Sequence, residues 1–203
     1  MPPSATYTPK NLFRDVLVDD CYQFVRCDDR EEFLIYIDGS CLNNGQANAK
    51  AGWAFVFGPE SYDSEGVVSA RLERNGPFGQ MAVQTSNRAE LRAVLGALRF
   101  RAWENEGFNT MVIATDSEYV AEGATYWLRI WVGNGWKTTE NTDVKNKDLW
   151  EVILGQIELL HDRGLRVQFW RIPRQLNQVA DCAARYAAED QDRDRYRDIL
   201  WIA

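Results

Sequence analysis

The run "FLIYIDGSCLNNG", Phe33 to Gly45, is apolar from Phe33 to Ile37 and then turns polar at Asp38. Its first residues are aromatic, aliphatic or β-branched without alternation, the pattern of a strand buried on both faces. Asp38 therefore falls in or at the end of a core strand. Two readings compete there. Asp38 and Gly39 open a turn, as Asp-Gly pairs do; or Asp38 is a carboxylate kept inside, which is costly unless it is paired, hydrogen-bonded or bound to a cation.

Outward from this strand, "GWAFVFG" (52–58) and "GVVSARLE" (66–73) read as two more strands with short links, an antiparallel meander. The period then changes. From Asn87, Leu91, Val94, Leu95 and Leu98 recur at helical spacing, and Gly107 is a plausible stop. "TMVIATD" is a fourth strand, again ending in an aspartate, Asp116. "SEYVAEGATYWLRIW" (117–131) and "NKDLWEVILGQIELLHDRG" (146–164) read as helices on either side of a loop, and "RVQFWRI" (166–172) as a fifth strand. A last helix starts near Gln175. Strands first and alternating helices and strands afterwards predict an α/β fold: a mixed five-stranded sheet, antiparallel meander followed by parallel strands, with helices on both faces. Residues 1–30 show no clear period and are expected to be an irregular N-terminal extension, with 31–203 forming one domain.

Composition bounds the chemistry. The chain has 203 residues, 45% of them hydrophobic, with eight tryptophans, enough for a sizeable core. Trp53, Trp103, Trp150 and Trp170 are assigned to it. No N-terminal stretch has the apolar length of a signal peptide or a membrane span, so an intracellular protein of the cytoplasm or nucleus, neither membrane-bound nor secreted, is expected. Cys21, Cys27, Cys41 and Cys182 show no metal-type spacing and are read as reduced thiols. Net charge is −7, which argues against nucleic-acid binding by bulk electrostatics while leaving room for a local basic groove. The single histidine, His161, stands where a helix C-terminus is expected, and no dinucleotide fingerprint, P-loop or HExxH is present. Chemistry must come from carboxylates.

The predicted topology gathers four of them. Asp38 and Asp116 end strands that would be neighbours, Glu90 begins a helix and Asp181 lies on the last one. Functional groups collect outside the carboxyl ends of strands in such sheets. Carboxylates crowded together repel one another, and a divalent metal is the economical remedy. Each also has an ordinary explanation: Glu90 follows Asn87 at capping-box spacing, Asp116 precedes a helix it could cap, and Asp181 lies opposite Val179 on the helical wheel, facing solvent.

The words around these acids decide between the readings. "YIDGSCLNNG" (36–45), "QTSNRAELRAVLGAL" (84–98), "TDSEYV" (115–120), "GNGWKT" (133–138) with "KNKDLW" (145–150), and "NQVADCAA" (177–184) stand in this order. Together they resemble the cellular type 1 ribonuclease H family over about residues 33–190. The resemblance implies a ribonuclease H-like fold and an endonuclease that hydrolyses the RNA strand of RNA/DNA hybrids, leaving 5′-phosphomonoesters, with two Mg²⁺ ions for which Mn²⁺ substitutes. By position, Asp38, Glu90, Asp116 and Asp181 match the metal-holding catalytic acids. Cys41, Asn44 and Asn87 match RNA-strand contacts, Asn44 doubling as a turn residue and Asn87 as a helix cap. Thr85, Tyr119, Trp127 and Asn146 match DNA-strand contacts. The partner implied is the hybrid itself, bound by a monomer.

Three departures qualify the resemblance. The family's loop histidine falls at Arg171, the arginine of its phosphate pocket at Val83, and its basic protrusion shrinks to "WVGNGWK" with Lys137 as the one lysine. Two other readings therefore stand beside the nuclease: a catalytically weak or inactive binding module on this fold, and a metal-dependent nuclease acting on another nucleic acid.

Overall fold

A computed structural model of the chain describes residues 7–18, 21–59 and 66–201. Its centre is β3 (Glu32–Leu42), which continues straight through Asp38 and Gly39 instead of turning there. Tertiary pairing overrides the turn preference: Asp38 stands opposite Ala54 and Gly39 opposite Trp53 on β4 (Lys50–Val56). The turn comes later, at left-handed Asn43 (φ 53°) and Gly45 (φ 83°). β4 pairs antiparallel with β5 (Val67–Arg71), completing the meander. On its other edge β3 pairs in parallel with β6 (Thr110–Thr115), and β6 with β7 (Arg166–Arg171). The mixed sheet of meander and parallel strands is as expected from the sequence pattern.

The strand count is not. Among the described residues the sheet has seven strands, because part of the segment expected to be irregular forms a hairpin. After one short helical turn, α1 (Pro9–Leu12), β1 (Phe13–Val18) pairs antiparallel with β2 (Cys21–Arg26). β2 then meets β3 through Phe24↔Leu34 and Val25↔Phe33. A strand has only two edges, and β6 occupies one of them. β2 therefore takes the length of the other edge that β4 leaves beyond Val56, and the Phe24 N–H donates to the Phe57 carbonyl at 3.3 Å. Residues 1–6 of the expected extension lie outside the described residues.

Alternation along β3 divides the core. Phe33, Ile35 and Ile37 face the larger cluster, shared with Trp53, Phe55, Trp103 and Trp150 and with α2 (Ser86–Arg99) and α5 (Lys147–Asp162). Leu34 faces a smaller cluster of Phe13, Val112, Ala114, Trp170 and Ile172, with Tyr36 packed against it. The hairpin thus contributes Phe13 and Phe24 to cover this second face. α6 (Gln178–Ala187) covers it further along, with Ala180, Ala184 and Ala187 buried. Trp53, Trp103, Trp150 and Trp170 are all buried, and His161 lies in the last turn of α5, as the sequence suggests. The four cysteines are free.

Beyond Ala187 the chain straps the body. Arg92, 1% exposed, pairs with Glu73 at 2.9 Å, stacks 4.5 Å from both Trp53 and Tyr196, and donates to the Arg197 carbonyl at 2.7 Å. An arginine on a helix reads as solvated in a sequence; here its planar fork and flat faces satisfy a buried carboxylate and two rings at once. Among the described residues no helix is long and apolar enough to cross a membrane.

Candidate active site

Four elements converge where β6 ends beside the middle of β3. Asp38 lies within β3 and is 6% exposed. Asp116 follows the last residue of β6. Glu90 lies in the second turn of α2, and Asp181 in the first turn of α6. Their closeness shows in their electrostatics. Burial first, then the charge of Asp116, pushes Asp38 up to about 8 from an ordinary 3.8, with Glu90 and Asp181 adding to the effect. Burial pushes Glu90 up to about 7 from 4.5, against the pull of its Ser117 hydrogen bond and with repulsion from Asp116 added.

Three of the acids have separate side-chain partners. The Ser117 hydroxyl donates to Glu90 Oε2 at 2.5 Å. Asn177, 1% exposed, donates through Nδ2 to Asp116 Oδ1 at 2.7 Å and to the Ile37 carbonyl at 3.0 Å. Arg174 Nη2 binds Asp181 Oδ1. In this arrangement no three Asp, Glu, His or Cys side chains among the described residues close around one point as a metal ligand set. The donor chemistry nonetheless fits a hard divalent cation, since four carboxylates gather there and no thiol or imidazole does.

The ordinary explanations of these acids do not hold. Thr85 caps α2, its hydroxyl accepting from the Arg88 N–H at 3.2 Å, so Arg88 and not Glu90 sits at the third position and no capping box forms. Asn87 is correspondingly inside the first turn and exposed, not a cap. Ser117, not Asp116, caps α3 (Glu118–Glu122). Asp181 is turned toward Arg174 with a side chain only 28% exposed. The last helix begins at Gln178, preceded by a 3₁₀ turn at Arg174–Leu176 where the sequence suggested a continuous helix.

Gln84 places the start of α2. Its Oε1 accepts from the Ala51 N–H at 3.1 Å and from Arg71 Nη1 at 3.2 Å, and its Nε2 donates to the Glu73 carbonyl at 3.2 Å. Cys41 Sγ lies 3.6 Å from the Gln84 carbonyl, which sets Cys41 beside the same helix start. Burial pushes the Cys41 thiol up, with Arg71 opposing. Asn44 is exposed in the turn after β3.

The residues expected on the DNA strand form a second group. Asn146 is held left-handed (φ 56°) at the start of α5, and its Oδ1 accepts from Arg88 Nη1 at 3.4 Å. Arg88 is thus the bridge from Thr85 to Asn146, and it went unnoticed in the sequence because its charge is spent internally: Asp148 takes both of its terminal nitrogens at 2.9 and 2.5 Å. Val83, where a pocket cation was expected, is 76% exposed and outside any strand. Tyr119 receives Trp150 Nε1 at 3.0 Å, and its ring lies 6.3 Å from Trp127, itself 5.8 Å from Trp131. Trp127 closes a π-helical segment, Gly123–Trp127, linking α3 to α4 (Leu128–Gly133), where a single helix was expected. Lys137 is paired with Asp143 at 2.6 Å.

The raised acids give the metal-free protein a definite pH dependence. Asp38 and Glu90 bind protons more tightly folded than unfolded. Their contribution to stability is therefore complete below their ordinary values and lost as pH rises through about 7 and 8. The melting temperature without divalent metal is expected to fall between about pH 5 and pH 9, and Asp38→Asn is expected to flatten that fall. A variant curve parallel to the parent's would mean that Asp38 is not the group responsible.

Known proteins resemble this chain in sequence and in fold. The sequence model of the RNase H family matches residues 30–189. A ribonuclease H of Treponema pallidum is 37% identical over 121 residues, 59% of this chain and 69% of that protein. One of Schizosaccharomyces pombe is 34% identical over 168 residues, 82% of this chain and 56% of that protein. Among solved structures, the foamy viral protease-reverse transcriptase in complex with RNA/DNA hybrid aligns over 77% of this chain and 20% of its own, with a TM-score of 0.56 at 24% identity. LC9-RNase H1, a type 1 RNase H with the type 2 active-site motif, aligns over 78% and 72% with a TM-score of 0.51. These two support the fold, and the family match over most of the chain supports more: this protein belongs to the ribonuclease H family.

Proposed function

We propose that this protein hydrolyses the RNA strand of RNA/DNA hybrids, with Asp38, Glu90, Asp116 and Asp181 holding divalent metal, Mg²⁺ or Mn²⁺ in its place. The observation that carries this reading is that β3, α2, β6 and α6 bring four carboxylates near enough that, after burial, Asp116, Glu90 and Asp181 all push Asp38 upward. Divalent cations bound there would activate the attacking water and stabilise the leaving oxygen of a phosphoryl displacement.

The chain's own residues supply the positioning. Ser117 orients Glu90, and Asn177 fixes Asp116 against the carbonyl of Ile37, the residue before Asp38. Asn44 and Asn87, exposed on the turn after β3 and the first turn of α2, offer both donors and acceptors to a ribose 2′-hydroxyl, which DNA lacks. Cys41 lines the same side. Thr85 and Asn146 present hydrogen-bonding groups to a DNA phosphate, while Tyr119 and Trp127 offer flat faces to deoxyriboses. Of the cations near them, Arg88 and Lys137 already hold Asp148 and Asp143, and Lys145 and Lys147, exposed on either side of Asn146, supply what charge is left for hybrid capture. That internal neutralisation is what favours the second reading, a weak or inactive binding module.

One assay separates the readings. The protein is incubated with labelled hybrid, single-stranded RNA and double-stranded DNA, each with Mg²⁺, with Mn²⁺ or with chelator. Metal-dependent cleavage of the hybrid's RNA strand alone is expected. Hybrid binding without cleavage establishes the binding module, and cleavage of single-stranded RNA or duplex DNA at a comparable rate establishes a nuclease of another specificity.

A further inference from the structure

Arg174 was not among the residues singled out in the sequence, yet it faces the acidic cluster. It opens the 3₁₀ turn Arg174–Leu176 directly after Pro173 (φ −61°), and this turn leads the chain into α6. From there its Nη2 reaches Asp181 Oδ1, and its charge also bears on Asp116 and Asp38. Arg171, which the family's loop histidine matched by position, instead pairs with Glu118 at 2.8 Å.

The four acids are not treated alike. Glu90 has a hydroxyl and Asp116 an amide, both neutral donors. Asp181 has a full positive charge, on a side chain that is itself 73% exposed. A carboxylate oxygen engaged by a guanidinium does not offer that lone pair to a metal. An arginine so exposed gives up little burial when it swings away, so it is displaceable.

We propose that Arg174 is a tethered counter-cation: it neutralises Asp181 in the metal-free protein and is displaced from it when divalent metal enters, so that it sets the metal concentration the site requires. This rests on the reading that the four acids hold metal. Both states then keep positive charge at the cluster, supplied by the protein in one and by the metal in the other. Removing Arg174 leaves the metal-free acids to repel one another, and it frees Asp181 for the metal.

Calorimetric titration of the intact chain with MnCl₂ at low ionic strength, alongside its melting temperature in chelator, tests this. Arg174→Gln is expected to bind Mn²⁺ roughly two- to fivefold more tightly than the parent, the upper part of the range for an exposed ion pair. It is also expected to melt lower in chelator, with the deficit shrinking in Mn²⁺. Arg174→Lys, which keeps the charge without the planar fork, should fall between the two. In an Asp181→Asn background the gain from Arg174→Gln should vanish. Equal or weaker Mn²⁺ binding by Arg174→Gln, in a parent that binds Mn²⁺, overturns the proposal. Unchanged Mn²⁺ affinity with a raised KM for hybrid overturns it as well and places Arg174 on the nucleic acid. A parent that takes up no Mn²⁺ defeats the metal reading itself, and this inference with it.

Discussion

Asp116→Asn is expected to cut hybrid cleavage below a tenth of the parent rate, a loss above ~1.4 kcal/mol of transition-state stabilisation, while leaving the chain folded. The exchange keeps nearly the same volume, and the new amide oxygen still accepts from Asn177 Nδ2, which binds Asp116 at 2.7 Å. What disappears is one negative charge among four acids. Because repulsion from Asp116 helps hold Asp38 high, its removal should leave the metal-free melting temperature unchanged or raise it. Lost activity with undiminished stability separates a catalytic charge from a structural one. Initial rates on labelled hybrid and a melting curve measure both, and retention of more than a tenth of the parent rate removes Asp116 from the metal-holding set.

Gly39→Ala is expected to be a severely damaging single methyl, and the one that strikes the site directly. A Cβ at Gly39 would stand 2.1 Å from the Glu90 nitrogen, 2.5 Å from the Ala89 carbonyl carbon and 2.8 Å from the Ala89 Cβ. Backbone atoms of α2 cannot rotate aside as a side chain can, so the helix must move off the sheet. Overpacking against fixed backbone places the cost at about 3 kcal/mol or more. The damage falls on the site as well, because this contact holds Glu90 next to the residue that follows Asp38. Cleavage should therefore drop even where chemical denaturation shows a folded population. A denaturation midpoint equal to the parent's would mean that α2 does not rest on the backbone of β3 at Gly39.

Much of the architecture was legible because it rests on local patterns. Phe33–Ile37 reads as a doubly buried strand, and the helical spacing of Leu91, Leu95 and Leu98 gives α2. The N-terminal hairpin was not legible. On β2, Cys21, Gln23 and Val25 point inward, but Gln23 is fully buried through a 2.6 Å bond to Glu106 across 83 residues, and a polar residue at an inward position erases the alternation. Exposed Leu17 and Tyr22 blur the outward side in the same way.

The candidate acids were found by the words around them, for reasons that local structure does not contain. Sequence specified which residues carry charge, Asp38, Glu90, Asp116 and Asp181, and the order of the elements that bear them. It did not specify who would hold those charges. Asn177 reaches Asp116 across 61 residues and Ile37 across 140, and Ser117 reaches Glu90 across 27. Arg174 and Arg171 are two cations in one short stretch, and no pattern in that stretch tells which will meet the cluster. The answer depends on where β7 stops and how the 3₁₀ turn rotates the chain before α6. Gly39 looked like half of a turn and is instead the point where a helix backbone rests on a strand. Alternation and propensity act between neighbours in the chain, whereas burial, repulsion and close approach act between neighbours in space, and only the folded sheet makes the second kind from the first.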